Sequence, residues 1–458
     1  MQSKDELFKV LANNKEALKE NRPQDYRTVV ISISPQSRAS FAAKYNLSPL
    51  QVHRKLVYFF KNHLGAHHVF DTAFTQDLSL AEASREFIDR FKHYMENGGD
   101  ILEAAKQEVD KANDEDKPKV RTRRRAGAGA RNDKNKELPN EYMPMLASSC
   151  SGWICYAEKT HGEVLPLITS AKSPQQMMGS LVKDYFAKKI GRLPHQIYHV
   201  CIMPCFDKKL EASRPDFYVE EYDTREVDCV LATIEIENLL KEQDLDFSTL
   251  PEAVIDDIIN KIKVDPTTGE EVLYGIAGSS SGGALEYIFA RAALELFNIA
   301  DVPADPLTTE SPRVIVKTGK NSDVKEYLLV NEEGKVVLRF ATAYGFRNIQ
   351  NIVRKVKSGK CVYHYVEVMA CPGGCANGGG QLPPGDGETK IMNAKDWVVQ
   401  VENIYRSPEG VKPEDNEVIK AIYSDWIGNP SGERAKRLLR TQYHAVTNNF
   451  ANPLATKW

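Results

Sequence analysis

The stretch Val362 to Gln381 constrains this chain more than any other. It sets a run of β-branched and aromatic residues, Val362 to Val368, directly ahead of Met369-Ala370-Cys371-Pro372-Gly373-Gly374-Cys375-Ala376-Asn377-Gly378-Gly379-Gly380-Gln381. The first part reads as a buried strand, and the second is too rich in glycine to be ordinary core. Two thiols in C-x3-C spacing would therefore emerge at a strand's carboxyl end, where open α/β sheets place ligands. Glycines at 373, 374 and 378 to 380 allow positive φ and let backbone N–H groups approach a bulky anion. A thiolate-ligated cluster is such an anion, so the loop reads as one wall of an iron-sulfur site.

Two cysteines cannot complete a four-thiolate cluster, so further ligands must come from elsewhere. Cys150, in Ala147-Ser148-Ser149-Cys150-Ser151-Gly152-Trp153, and Cys205, in Met203-Pro204-Cys205-Phe206-Asp207-Lys208-Lys209-Leu210-Glu211, also sit where an apolar stretch breaks into a loop. The candidate ligand set is Cys150, Cys205, Cys371 and Cys375, with Gly373 and Gly374 cradling the cluster and Lys208 offsetting its negative charge. Cys155, Cys201, Cys229 and Cys361 lie in apolar stretches and read as core. Zinc is the rival metal, since C-x3-C with two further thiolates could close a tetrahedral site. Ligands dispersed over glycine-rich loops, rather than paired on compact hairpins, suit the larger cluster better. His161, His195, His199 and His364 lack metal-ligand spacing, and Ser279 to Ser281 lacks a G-x-S-x-G elbow.

Flanking segments alternate strand and helix. Thr28 to Ile33 is β-branched, and Ser34-Pro35 then supplies an N-cap with proline at the first helical position. The pattern recurs at Ser48-Pro49 and again where His67 to Phe70 precedes a helical run, Ala81 to Tyr94. Ser173-Pro174-Gln175-Gln176 spells a capping box ahead of a buried helix. Tyr198 to Met203 and Val227 to Ile234 read as strands. Leu273 to Ile276, the loop Gly278 to Gly283 and helical Ala284 to Phe297 lack the phosphate-loop and dinucleotide spacings, so that loop reads as a close backbone approach to the cluster. Between Glu96 and about Asn140 large apolar residues nearly vanish, which predicts a disordered insertion. Its Arg121-Thr122-Arg123-Arg124-Arg125 is compatible with a nuclear signal, although a solvated linker is the better reading.

With 458 residues and 42% hydrophobic content, the chain can bury a large core. A formal net charge of -3 gives no broad basic face for nucleic acid, and no stretch resembles a membrane span or signal peptide. Eight cysteines in so long a chain fit metal binding in a reducing compartment better than a disulfide framework.

The three cysteine loops, together with Ser173 to Gly179, Tyr344-Gly345-Phe346-Arg347-Asn348-Ile349-Gln350 and Leu438-Leu439-Arg440-Thr441-Gln442-Tyr443-His444, resemble the signature segments of iron-only hydrogenases. The likeness is nearest to the family's eukaryotic non-hydrogenase branch of cytosolic iron-sulfur assembly factors, also described as nuclear prelamin A recognition factor-like proteins. It implies a two-lobed α/β fold, a twisted sheet with flanking helices in each lobe, and a C-terminal helical wrap. The implied divisions are residues 1–26 as an N-terminal helix, 27–390 as the two-lobed unit with its insertion at 96–140, and 391–458 as a small-subunit-like segment.

Hydrogenases carry a proton-relay thiol where this chain has Ser149, a poor acid for that step. Met203, Lys208 and Glu211 keep the hydrogenase pattern, so a hydrogenase-type redox enzyme is the second expectation and a structural zinc scaffold the third. The leading expectation is a non-catalytic carrier of one 4Fe-4S cluster that links an early P-loop NTPase scaffold to a late complex of a WD-repeat propeller and a HEAT-repeat protein. Neither membrane nor direct nucleic-acid contact is expected, and the location implied is cytoplasmic, with nuclear entry open. The family's N-terminal cluster lacks its ligands, because no cysteine precedes Cys150. Trp458 at the end of the chain resembles the family's terminal aromatic docking tag.

Overall fold

A computed structural model describes residues 2–99, 143–256, 263–264, 269, 271–273, 275–278, 280–303, 305–384 and 393–446. The expected insertion falls almost wholly outside the described residues, as does Trp458.

Two sheets organise the chain. In the first, His68–Asp71, Thr28–Ile33, Ile197–Met203 and Cys229–Ala232 lie side by side in that order, all parallel. The second runs Val314–Thr318, Lys325–Val330, Val336–Tyr344, Tyr365–Met369 and Met145–Ala147. Its first three strands are antiparallel, whereas Tyr365–Met369 pairs in parallel with both of its neighbours.

Side-chain alternation distributes each strand between two cores. Val29, Ile31 and Ile33 face an outer core with Phe41, Leu56 and Phe247, while Val30 faces inward with Phe70 and Ile197. That inner core is shared. Helix Ala73–Glu96, helix Pro174–Ser180 and helix Leu285–Phe297 pack in it against Met145, Phe340 and Tyr365 of the second sheet. The far face of the second sheet buries Leu146, Val366 and Val368 against Trp153, Ile349 and Val353. The layers are therefore helices, sheet, central helices, sheet and helices, which is the expected two-lobed α/β arrangement.

Local chemistry explains the helix starts. Ser34, Ser48 and Ser173 each accept the N3 amide with proline at N1, and Ser48 completes the reciprocal box with Gln51. The box expected at Ser173 is half formed: Gln176 is fully buried, and its side-chain amide has no hydrogen-bond partner among the described residues. Val227 to Ile234 shortens to the strand Cys229–Ala232, because Thr233 already begins a helix. Leu273 to Ile276 reduces to a two-residue pairing of Gly275–Ile276 with Gly410–Val411.

The C-terminal segment packs mainly on helices. Helix Ala394–Arg406 packs on helix Pro35–Tyr45, helix Glu417–Ile422 on Ala73–Glu96, and helix Glu433–Leu439 on Pro174–Ser180. Arg440 ties the last of these down, with guanidinium nitrogens 2.8 Å from Glu82 Oε2 and 2.6 Å from Glu86 Oε2.

Candidate metal centre

All four candidate thiols follow the carboxyl ends of strands. Cys150 follows Met145–Ala147 and Cys371 follows Tyr365–Met369, which are neighbours in the second sheet. Cys205 follows Ile197–Met203 of the first sheet, and Cys375 lies further along the same loop as Cys371. The cysteine loop then crosses to the first sheet, where the Gly380 amide donates to Pro204 O at 2.9 Å and the Ile234 amide donates to Gly380 O at 2.8 Å. A single loop thus joins both lobes at the ligand positions.

The thiols sense one another. Burial pushes Cys371 up to about 12, with added repulsion from Cys150 and Cys205. Burial likewise raises Cys205 to about 11, Lys208 opposing and Cys150 adding to the shift. Cys375 rises well above the usual thiol range through burial and then through Cys150, Cys205 and Cys371. Three thiols whose ionisation is opposed by burial and by neighbouring thiols, Cys150 among those neighbours, form a site that favours a cation.

Lys208 is the local counter-charge. Burial would lower its pKa, but Glu211 and then the Cys205 and Cys375 thiols raise it above the lysine norm. Its ammonium donates to Ser149 O at 2.8 Å and to Glu211 Oε2 at 2.5 Å. Lys209 turns away to Glu235. Two sulfurs accept backbone donors: Ala370 N–H reaches Cys150 Sγ at 3.4 Å, and the Lys208 amide bonds Cys205.

The glycines act differently from the sequence expectation. Gly373 and Gly374 have φ of +74° and +94°, but their amides donate to Asp323 Oδ1 at 2.7 Å and Cys371 O at 3.3 Å. Their contribution is the shape of the turn, not N–H groups offered to an anion. Gly378 and Gly380 keep ordinary φ and are small for a steric reason. A Cβ on Gly378 would lie 2.3 Å from Pro204 O, and one on Gly380 would lie 2.8 Å from the Ala232 Cβ.

The loop before helix Leu285–Phe297 approaches Cys375 closely. Gly282 has φ of +84°, and a Cβ there would stand 2.7 Å from Cys375 Sγ. Ser149 lies alongside, its hydroxyl donating to Gly282 O at 3.1 Å. Beyond Ser149 lies a small cavity of about 40 Å³ lined by Ser173, Gly283, Tyr365, Glu367 and Met369, among others. Cys201 and Cys229 are fully buried in core; Cys155 and Cys361 are partly exposed.

The donor set fits a four-iron cluster: four thiols from three loops, two of them accepting N–H groups, beside one buried ammonium. Among the described residues no three His, Cys, Asp or Glu side chains stand close enough to grip a single ion.

Residues 27–101 and 128–379 match the family described as iron only hydrogenase large subunit, C-terminal domain. Residues 398–446 match iron hydrogenase small subunit. The chain belongs to the iron-only hydrogenase family. It is 45% identical over 458 residues to the cytosolic Fe-S cluster assembly factor narfl of Danio rerio, which spans 100% of this chain and 95% of that protein. It is also 45% identical over 460 residues to the cytosolic iron-sulfur assembly component 3 of Mus musculus, spanning 100% of this chain and 82% of the other. Among solved structures it is similar to a variant of the FeFe-hydrogenase HydA1 from Chlamydomonas reinhardtii, with a TM-score of 0.68 at 25% identity over 97% of this chain and 99% of that one. As a family member the chain therefore combines a hydrogenase fold with near relatives named as assembly factors. Among its described residues no helix is long and apolar enough to cross a membrane.

Sequence reasoning missed two side chains here, Asp323 and Glu402. Each acts on a backbone amide of a distant loop, and neither lies in a motif that would betray it.

Proposed function

We propose that this chain is a non-catalytic component of cytosolic iron-sulfur protein assembly that holds one 4Fe-4S cluster on Cys150, Cys205, Cys371 and Cys375. The observation that carries the reading is the meeting of three loops, from two sheets, at Cys150, Cys205, Cys371 and Cys375 beside Lys208, the last three thiols being raised by burial and by their thiol neighbours. The names of the near relatives support it independently. A bound cluster would supply a one-electron couple and a transferable iron-sulfide unit. The chain's residues supply the anionic sulfurs, the compensating ammonium and a cleft walled by both lobes.

Its place in the pathway follows from the resemblance: it would act between an early P-loop NTPase scaffold and a late targeting complex of a WD-repeat propeller and a HEAT-repeat protein, in the cytosol. Ser149 supports the non-catalytic part. Its hydroxyl is committed to Gly282 O, and a serine hydroxyl is a far weaker acid than the thiol that relays protons in hydrogenases.

Anaerobic purification with metal and sulfide analysis and Mössbauer spectroscopy tests the reading. Four-iron spectra that vanish in Cys371→Ala and Cys375→Ala are expected. Normal iron and sulfide in those variants would refute the ligand assignment. Hydrogen evolution from reduced dye would favour the enzyme reading instead, and zinc without iron the scaffold reading.

A further inference from the structure

Ser281 is fully buried and bonded on three sides. Its carbonyl accepts the Cys375 amide at 2.9 Å, and its hydroxyl oxygen accepts the Ala376 amide at 2.7 Å. Its own amide donates at 2.9 Å to Glu402 Oε1, and its hydroxyl bonds the same carboxylate. Glu402 lies on helix Ala394–Arg406, outside all three cysteine loops. The helix braces the cysteine loop at further points. Trp397 Nε1 donates to Leu382 O at 2.9 Å, and Ala376 packs in one apolar cluster with Trp397, Val401 and Tyr405. The Tyr405 hydroxyl takes Gln76 Nε2 at 3.1 Å and bonds the Gly282 backbone.

Glu402 is an odd residue to find there on grounds of stability. Burial raises its pKa, and its buried Oε2 has no hydrogen-bond partner among the described residues. A carboxylate so placed costs stability that an apolar side chain would not. What it gains is the fixed orientation of Ser281, and through Ser281 the backbone on which Cys375 hangs.

We infer that Glu402 is a positioning residue for the Cys375 ligand, acting through Ser281, so that the small-subunit-like helix sets how firmly one corner of the cluster is held. The inference rests on the cluster reading above. Outer-shell partners of metal ligands typically carry roughly 10- to 100-fold in metal affinity; Ser281 holds the backbone of Cys375, and Glu402 holds Ser281.

The test uses the full chain, purified anaerobically, as wild type, Glu402→Leu, Glu402→Gln and Ser281→Ala. Iron release to a chelator is timed, and three-iron species are counted by EPR after brief ferricyanide oxidation, ferricyanide taking the electron that departs as the cluster loses ferrous iron. Melting of each metal-free protein is recorded alongside. Glu402→Leu and Ser281→Ala should release iron roughly tenfold faster or more. They should also accumulate the three-iron species, because loosening at Cys375 frees one iron ahead of the others. Glu402→Gln can still accept the Ser281 amide and should stay near wild type.

Wild-type release rates in folded Glu402→Leu and Ser281→Ala would overturn the inference and leave the cluster reading standing. Faster release that tracks a lowered melting temperature without extra three-iron signal would overturn it too, since that is general destabilisation. Should Glu402→Leu fail to fold, Ser281→Ala decides by the same criteria. A wild-type chain without iron and sulfide would instead sink the underlying reading.

Discussion

Gly282→Ala separates the ligand geometry from general stability. Two costs arise at Gly282. The first is conformational: φ is +84°, and an L-residue in the left-handed region costs about 1–2 kcal/mol. At about 2–4 °C per kcal/mol for a lobe-sized unit, melting should fall by about 2–8 °C. The second is steric and local. The new Cβ would lie 2.7 Å from Cys375 Sγ. Ordinary contact begins near 3.5 Å, so the sulfur or its loop must shift by about 1 Å. Built sites tolerate about 0.5 Å, so cluster retention should fall roughly tenfold or more. Gly65→Ala is the matched control, because Gly65 has φ of +82° and nothing within 4 Å of its Cβ position. It should show the same melting loss with full iron and sulfide. The assay is iron and sulfide per chain after anaerobic reconstitution, with melting of the metal-free proteins. If Gly282→Ala holds as much iron as Gly65→Ala, Cys375 is not a ligand in the position argued here.

Three other substitutions probe the surroundings. Arg440→Met leaves the buried Glu82 and Glu86 with Arg85 and Arg90 as their remaining cationic partners, so stability should fall by about 1–3 kcal/mol. Limited proteolysis should then cut within residues 441–446, which Ser170 O and Glu158 O now hold; an unchanged digestion rate would refute the clamp. Burial raises Glu286 to about 7, against attraction from Arg406, so wild-type stability should decline as pH rises from 4.5 to about 7 and stay lower above it. Glu286→Gln should lack that decline, and parallel stability curves for the two proteins would refute it. Lys208→Met and Glu211→Gln remove opposite charges from one buried pair beside the thiols, so redox titration should find the cluster potential lowered in the first and raised in the second. Shifts of the same sign would exclude a direct electrostatic role.

What the sequence made legible was local. Thr28–Ile33 has the bounds its β-branched run suggests, and the serine-proline starts at 34, 48 and 173 each cap a helix, because an N-cap needs only its own N3 amide. Gln176 escaped the capping-box rule because packing at a fully buried position overrode a bond worth about 1 kcal/mol. The antiparallel strands Val314–Thr318 and Lys325–Val330 carry no motif, and the short pairing of Gly275–Ile276 depends on a partner more than a hundred residues away. Such contacts are set by the finished fold rather than by neighbours in sequence.

The same distinction runs through the metal centre. Cysteines at strand ends announce themselves, because a thiol at the border of an apolar run and a glycine loop has few structural reasons to be there. The supporting contacts do not, because they act on backbone groups that every residue carries. Gly373 shows the difference. Its sequence context suggests an amide aimed at an anion, yet Asp323, from a turn with no motif, takes that amide at 2.7 Å. With the amides of Gly374, Cys375, Ala376 and Gly378 also bonded within the protein, little of the loop's N–H capacity remains for the cluster. Compensation of a bound cluster's charge would then fall on Lys208 and on the two amides that reach Cys150 and Cys205. Lys208 is itself shared with Glu211, so a cluster held there would have its negative charge offset by a lysine that already has another anion to satisfy.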